Sequence, residues 1–427
     1  MRIAIVNWSR RRAGGVETYL SSIIPELLQY GHSVGFMYEI DEPANRERIK
    51  LSHDSPSWCV STQGLDQALA KLRDWQPDLI YTHLLLGDPE LEVRILEIAP
   101  AVLFGHTYYP GMCISGTKTF RNPTVTPCTR RFGWQCLLHY YPHRCGGLSP
   151  VTMLKLYGRQ SKRFKLLSKY RAIITHSHHM RFEYIKHGIK PERVHEIPYY
   201  IQSKNAKALI GPQPATCAPQ DESPLSVQTP SVKEEDLPAW RLLFLGRMEL
   251  LKGGLVFLDS LPQVADYLDR PLHIILAGDG NDRKSWERKA KRLEASHRKI
   301  KIQFAGWTHS AQIDSLLTSC DLLVVPSLWP EPFGQVGPEA GHYGVPAAAF
   351  AVGGISNWLT NGINGHLAPG DPATSTGLAG AIIECLRDPA HYARLRQGSI
   401  ELARRFDLSE HLRALLPILK DAARREQ

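Results

Sequence analysis

Leu322-Leu-Val-Val325 runs into Pro326-Ser-Leu-Trp-Pro-Glu331-Pro-Phe-Gly-Gln-Val-Gly-Pro-Glu339-Ala-Gly-His-Tyr-Gly-Val-Pro346, and that into Ala347-Ala-Ala-Phe350. A short apolar run bounded by Pro and Gly reads as a buried strand, and this stretch holds two. Between them lies a Pro- and Gly-rich loop, then a run from Gly334-Gln335-Val336 to Glu339 that opens a helix. Strand, loop, helix, strand is the unit of a parallel sheet. Two carboxylates stand eight apart, with Glu331 in the loop. The start of a helix offers unpaired N–H groups and the positive end of its dipole, which suit phosphate. Glu339 is then placed for ribose hydroxyls and Glu331 for a sugar. An isolated pair at this spacing would read as solvated carboxylates on a capped surface helix; the Pro-Ser, Phe-Gly and Gly-Val-Pro flanks favour the binding reading.

Outward from this stretch the pattern repeats. Leu242–Leu245, His273–Leu276 and Lys301–Phe304 are strand candidates on its N-terminal side. Further back come Ile3–Val6, Asp78–Tyr81, Ala101–Phe104 and Ala172–Thr175, with helical spacing from Val16 to Tyr30 that stops at Gly31. Continuous apolar strands of this kind suit a sheet covered on both faces. The chain divides into residues 1–202, with a Cys-rich insertion at about 107–150, a polar linker or flexible loop at 203–238, a second half at 239–405, and a C-terminal helix at 406–427. The fold class is α/β: two Rossmann-like parallel-sheet domains facing across a cleft, the last helix returning to the first domain. Ligands of such sheets bind beyond the carboxyl ends of the strands.

Leu245-Gly246-Arg247 is followed by Lys252-Gly253-Gly254. Two fixed cations beside a glycine turn are what a departing diphosphate requires. Alone, Arg and Lys after a strand are more often solvent-facing; their place at the start of the second half strengthens the pair. Gly353-Gly354 and Gly14-Gly15 each let backbone approach a ligand closely, whereas Gly362 and Gly365 read as plain turns. His106 follows a strand end, where catalytic groups of α/β folds gather, although composition would not select it from 18 histidines.

With 43% hydrophobic and 22% charged residues the 427-residue chain is an ordinary globular protein, not a disordered or fibrous one. No apolar run reaches the roughly 18 residues of a membrane span. The N-terminus enters a strand pattern at once and lacks signal-peptide features, so the expectation is a cytoplasmic protein, peripheral at the inner membrane surface if its basic face meets lipid. The net charge of +9 suits an anionic ligand, a membrane surface or nucleic acid. It reads as spread along the chain, densest at Arg10-Arg11-Arg12. No recognition helix, zinc finger or aromatic–basic motif points to nucleic acid.

Together these residues resemble family 4 glycosyltransferases of GT-B architecture. The likeness rests on Gly246-Arg247 with Lys252-Gly253, Ala277-Gly-Asp-Gly280, Phe304-Ala-Gly306, Val325-Pro-Ser327, Glu331 to Glu339, Gly344-Val-Pro346, Gly353-Gly354 and Asn364-Gly365. The first half is similar more loosely, through Gly14-Gly15-Val-Glu17, Gly31 to Val34, Pro77 to His83, His106 and Gly188 to Pro198. The resemblance implies a retaining transferase that takes a nucleotide-diphosphate sugar and needs no metal for the transfer. It implies that Arg247 and Lys252 hold the diphosphate, Glu339 the ribose, and Glu331 the transferred sugar beside Phe333 and Gly334. Gly14, Gly15, Gly246, Gln335 and Val336 line the donor, and His106 sits near donor and acceptor hydroxyls. The acceptor stays open between a glycan, a lipid-linked sugar and a small metabolite. Rival readings are a non-catalytic nucleotide-sugar binder and a membrane-surface scaffold. Two departures stand out: Tyr199-Tyr-Ile-Gln202 follows Ile197-Pro198 where the family often has Asn-Gly-Val-Asp, and the linker is long.

Cys113, Cys128, Cys136 and Cys145 fall within 33 residues, with 14, 7 and 8 residues between them. A structural zinc site is one reading, with His139 and His143 as substitute ligands; free thiols and disulfides are the others.

Overall fold

The structure, a computed structural model, describes residues 1–11, 15–41, 47–83, 85–105, 109–201 and 239–424. His106, Gly14 and the stretch 203–238 lie outside the described residues. Two compact units form. The first comprises Met1–Tyr199, Pro330–Phe333 and Ser409–Gln427, the second Tyr200–Trp329 and Gly334–Leu408.

The first unit is built on strands β1 (Arg2–Ser9), β2 (Ser33–Ile40), β3 (Ser57–Cys59), β4 (Leu79–Thr82) and β5 (Ala101–Phe104). A hairpin of β6 (Thr119–Phe120) and β7 (Thr126–Pro127) intervenes before β8 (Ala172–Thr175) and β9 (Val194–Glu196). The main sheet runs β3-β2-β1-β4-β5-β8-β9, parallel throughout. Ile3, Ala4, Ile5 and Val6 are fully buried, as a strand covered on both faces requires. The helix Gly15–Gln29 stops where the sequence indicates: Gly31 takes φ +77°, and His32 N–H closes back on Leu27 O at 3.0 Å.

The second unit contains β10 (Trp240–Leu245), β11 (Leu272–Ala277), β12 (Ile300–Gly306), β13 (Leu322–Val325), β14 (Ala347–Phe350) and β15 (Gly365–Ala368). Its order is β12-β11-β10-β13-β14-β15, again all parallel. The order turns back between β10 and β13, so the loops that follow these two strands flank the point where α/β sheets open a crevice.

The C-terminal helix, Leu408–Ala423, packs on the first unit, as expected from the sequence. His411 fixes it there. Its Nδ1 lies 2.8 Å from Pro198 O and its Nε2 3.0 Å from Tyr19 OH. A carbonyl only accepts, so Nδ1 carries the proton and Nε2 accepts from the tyrosine. Burial holds this imidazole at about 4, which keeps the neutral tautomer in place.

Candidate functional site

In the second unit, Gly246, Arg247 and Lys252 occupy the loop after β10. That loop is pinned to the one after β13 by Leu328 N–H donating to Leu251 O at 2.8 Å. Gly253 sits at φ +70°, and a Cβ there would lie 1.8 Å from Pro326 O. Only glycine permits this approach. Lys252 Nζ stands 5.5 Å from the centroid of the Trp329 ring, within cation–π reach. Arg247 is half-exposed and pairs with Glu249 at 3.2 Å. Both cations therefore project from a braced glycine turn at the carboxyl end of the sheet.

Glu339 enters from the helix Val336–His342, whose N-cap is Gln335. This helix is only seven residues long, so its dipole is smaller than the sequence suggests. Glu339 N–H donates to Gln335 O at 3.1 Å. Gly337 lets the helix lie on Trp358, since a Cβ there would fall 2.1 Å from the ring. Burial, with Asp314 adding to it, pushes the Glu339 carboxyl up to about 7.

Glu331 and Phe333 belong to a segment, Pro330–Phe333, that packs with the first unit. Tyr109 O–H donates to Pro330 O at 2.6 Å, and Ser177 Oγ–H donates to Pro332 O at 2.5 Å. Two hydroxyls thus clamp the carbonyls on either side of Glu331, which is buried. His179 Nε2 lies 3.1 Å from Tyr109 OH; that oxygen already donates to Pro330, so the ring donates to it. Phe333 rests 5.9 Å from the Tyr199 ring.

The sequence offered no sign of this clamp, and it gave no role to His176 or to His83, although His83 ends one of the stretches that carry the resemblance. His83 follows β4 and His176 follows β8, both buried at strand ends. His176 stacks on Tyr199 at 3.6 Å and meets Phe104 edge-on at 4.4 Å. Burial lowers both imidazoles, His83 to about 3, so both are neutral. Their place directly after apolar strands was the available signal. Gly15 opens the helix after β1 as anticipated, and Glu17 one turn in accepts from Asn7 Nδ2 at 3.3 Å.

The four clustered cysteines line one cavity in the first unit together with Lys118 and His139. They are free thiols rather than disulfides. Among the described residues no three His, Cys, Asp or Glu side chains are drawn together closely enough to hold a single metal ion.

Comparison with known proteins bears on the family and the fold. The model described as Glycosyltransferase Family 4 matches residues 13–202, and that of Glycosyl transferases group 1 matches residues 229–402. The D-inositol 3-phosphate glycosyltransferase of Xylanimonas cellulosilytica is 31% identical over 189 residues, 43% of this chain and 43% of the relative. The glycogen synthase of Mycobacterium tuberculosis is 34% identical over 158 residues, 35% of this chain and 34% of the relative. Each match spans less than half of the relative's length. Among solved structures, Anabaena HepE in complex with UDP superposes with TM-score 0.64 at 20% identity, covering 99% of this chain and 100% of that one. Sucrose-phosphate synthase of Thermosynechococcus elongatus gives 0.65 at 18%, covering 98% of each. Both share the two-sheet GT-B fold. With one family model on the first half and the other on the second, the chain belongs to the family 4 glycosyltransferases.

Proposed function

We propose that this chain transfers a sugar from a nucleotide-diphosphate donor to an acceptor with retention of anomeric configuration. The observation that carries the reading is the braced pair Arg247 and Lys252 at the turn-back point of the second sheet. As the donor's glycosidic bond breaks, negative charge grows on the diphosphate and positive charge on the sugar ring. Two fixed cations meet the first without a divalent metal, because their charge is already in place before the bond breaks. Glu339 accepts from the ribose hydroxyls. Glu331, its flanking carbonyls clamped, accepts from hydroxyls of the transferred sugar and keeps the ring oriented; it is not the nucleophile. The acceptor hydroxyl attacks from the side the diphosphate leaves. UDP and UDP-glucose, bound by Anabaena HepE, supply the first donor class to try.

Glu339 makes the reading testable through pH. Its carboxyl titrates near 7, and the carboxylate is the form that accepts two hydroxyls. Donor affinity therefore rises with pH, by about tenfold between pH 6 and pH 8 if only the anion binds, since one pKa unit is worth about 1.4 kcal/mol. The neutral amide of Glu339→Gln does not titrate and should flatten that dependence. Calorimetric titration with UDP-glucose checks it; the same slope in both proteins would remove Glu339 from the site.

For the acceptor, a membrane-borne one is favoured by the first unit. The positive charge is not spread evenly after all: residues 98–182 hold thirteen Lys and Arg and no Asp or Glu. That +13 leaves −4 for the rest of a chain whose total is +9. In the same stretch Trp134, Leu138, Leu148, Val151 and Leu154 are each more than half exposed. Apolar anchors amid cations suit the interface of an anionic bilayer; no described helix is long and apolar enough to cross one. The protein should float with phosphatidylglycerol vesicles and release at high salt, and Trp134→Ser with Leu138→Ser should abolish flotation. No flotation at low salt would return the acceptor to the soluble classes.

A further inference from the structure

Glu331 stands between two prolines, Pro330 and Pro332. Each ring fixes its own φ at about −65°. A proline to follow also keeps Glu331 out of the helical region. The softest backbone torsion left on either side is the ψ of each proline, which swings that proline's carbonyl. Those are the two carbonyls that are held, Pro330 O by Tyr109 at 2.6 Å and Pro332 O by Ser177 at 2.5 Å.

Both holds trace to the start of one helix, His178–Lys186. Ser177 is its N-cap: the hydroxyl oxygen accepts from Met180 N–H at 3.3 Å while its proton goes to Pro332 O. His179, in the first turn, reaches Pro330 O through Tyr109. Burial, with Glu183 and Glu331 near by, raises the Tyr109 hydroxyl well above its usual range, and burial lowers the His179 imidazole. Both groups are therefore neutral donors. A hydroxyl that accepts one hydrogen bond donates the next more strongly, so His179 strengthens the hold of Tyr109. A buried tyrosine needs a partner in any case. What marks Tyr109 and Ser177, both fully buried, is that their partners bracket one buried carboxylate.

We propose that Tyr109, Ser177 and His179 are positioning residues that aim the Glu331 carboxylate at the transferred sugar. The inference rests on the role given to Glu331 above. Each of the three acts through the backbone beside Glu331 rather than on the sugar. Tyr109 lies at the start of the Cys-rich insertion, which thereby takes part in placing the donor sugar.

The test is a double-mutant cycle between Tyr109→Phe and Glu331→Ala in the whole chain. Turnover of UDP-glucose gives kcat and KM, calorimetry gives UDP affinity, and thermal melting is run on the same samples. Tyr109→Phe keeps the ring and removes the donor. It should lower kcat by about tenfold to a hundredfold, the scale of a small misplacement at a reacting centre, with UDP affinity unchanged. Once Glu331 is already Ala, the same change should cost less than about twofold. His179→Leu should lower kcat by a smaller factor, and His179→Gln, which still carries an N–H donor, should restore most of it. Wild-type kcat in Tyr109→Phe beside an impaired Glu331→Ala would overturn the positioning and leave the role of Glu331 standing. An undiminished loss in the Glu331→Ala background would overturn it too, since Tyr109 would then act elsewhere. Wild-type rates in Glu331→Ala would remove that role itself, and the positioning with it. If Tyr109→Phe melts far below wild type, the His179 pair decides: equal kcat in Leu and Gln overturns the relay.

Discussion

Arg247→Ala and Lys252→Ala are each expected to lower kcat/KM by about a hundredfold to a thousandfold, the roughly 2.7–4 kcal/mol that one pre-placed electrostatic donor contributes to a transition state. The loss should fall mainly on kcat, because charge on the leaving diphosphate is greatest as the bond breaks. Neither change should cost much stability. Arg247 is half-exposed with only an exposed partner, Glu249, and exposed pairs contribute little. Lys252 lies over the face of Trp329, a cation–π contact of about 0.5–2 kcal/mol. The double variant should fall short of the product of the two losses, since both cations serve one diphosphate. Steady-state rates against UDP-glucose, with thermal melting on the same samples, separate the two effects. Full turnover in both variants would mean the leaving group is stabilised elsewhere.

Lys118→Met is expected to destabilise the protein by about 3–5 kcal/mol, the cost of stranding a buried charge. Lys118 and Glu183 are both almost fully buried, with Nζ 3.0 Å from Oε2, an ion pair outside hydrogen-bond angles. Lys118 also donates to Arg130 O. His187, which caps the C-terminus of the helix that carries Glu183, accepts from Phe132 N–H at 2.9 Å, a second tie between that helix and the insertion. Burial lowers the pKa of His187, so it is a poor replacement cation for Glu183. Adding Glu183→Gln to Lys118→Met should recover part of the loss, because the stranded charge disappears. Urea midpoints of the single and double variants measure this; a loss below about 1 kcal/mol would place the pair in solvent.

Much of the fold was legible in the sequence because its signals are local. Apolar strands of four to six residues, Gly31 closing a helix and Gly253 at a tight turn each announce themselves within a few positions. The edge strands β3 and β9 were not legible: three residues carry no period. Nor was the packing of Pro330–Phe333 with the first unit, which depends on Tyr109 and Ser177 more than 150 residues away. The cations and Glu339 could be nominated because glycine and proline frame them. His176 was not nominated and His83 was quoted without a role, since a lone histidine after a strand is ordinarily structural. The acid-free stretch from 98 to 182 was countable from the start; it was obscured because the total of +9 looks modest once the rest of the chain offsets it.

In the function proposed above, the second unit binds the nucleotide-diphosphate part of a sugar donor. Its most direct test is thermal melting of the wild-type chain against UDP-, GDP-, ADP- and TDP-sugars. A ligand at 100 times its dissociation constant stabilises the folded state by about 2.7 kcal/mol. A clear rise in melting temperature is expected with one nucleotide class, reduced in Glu339→Ala. Unchanged melting with every donor would contradict it.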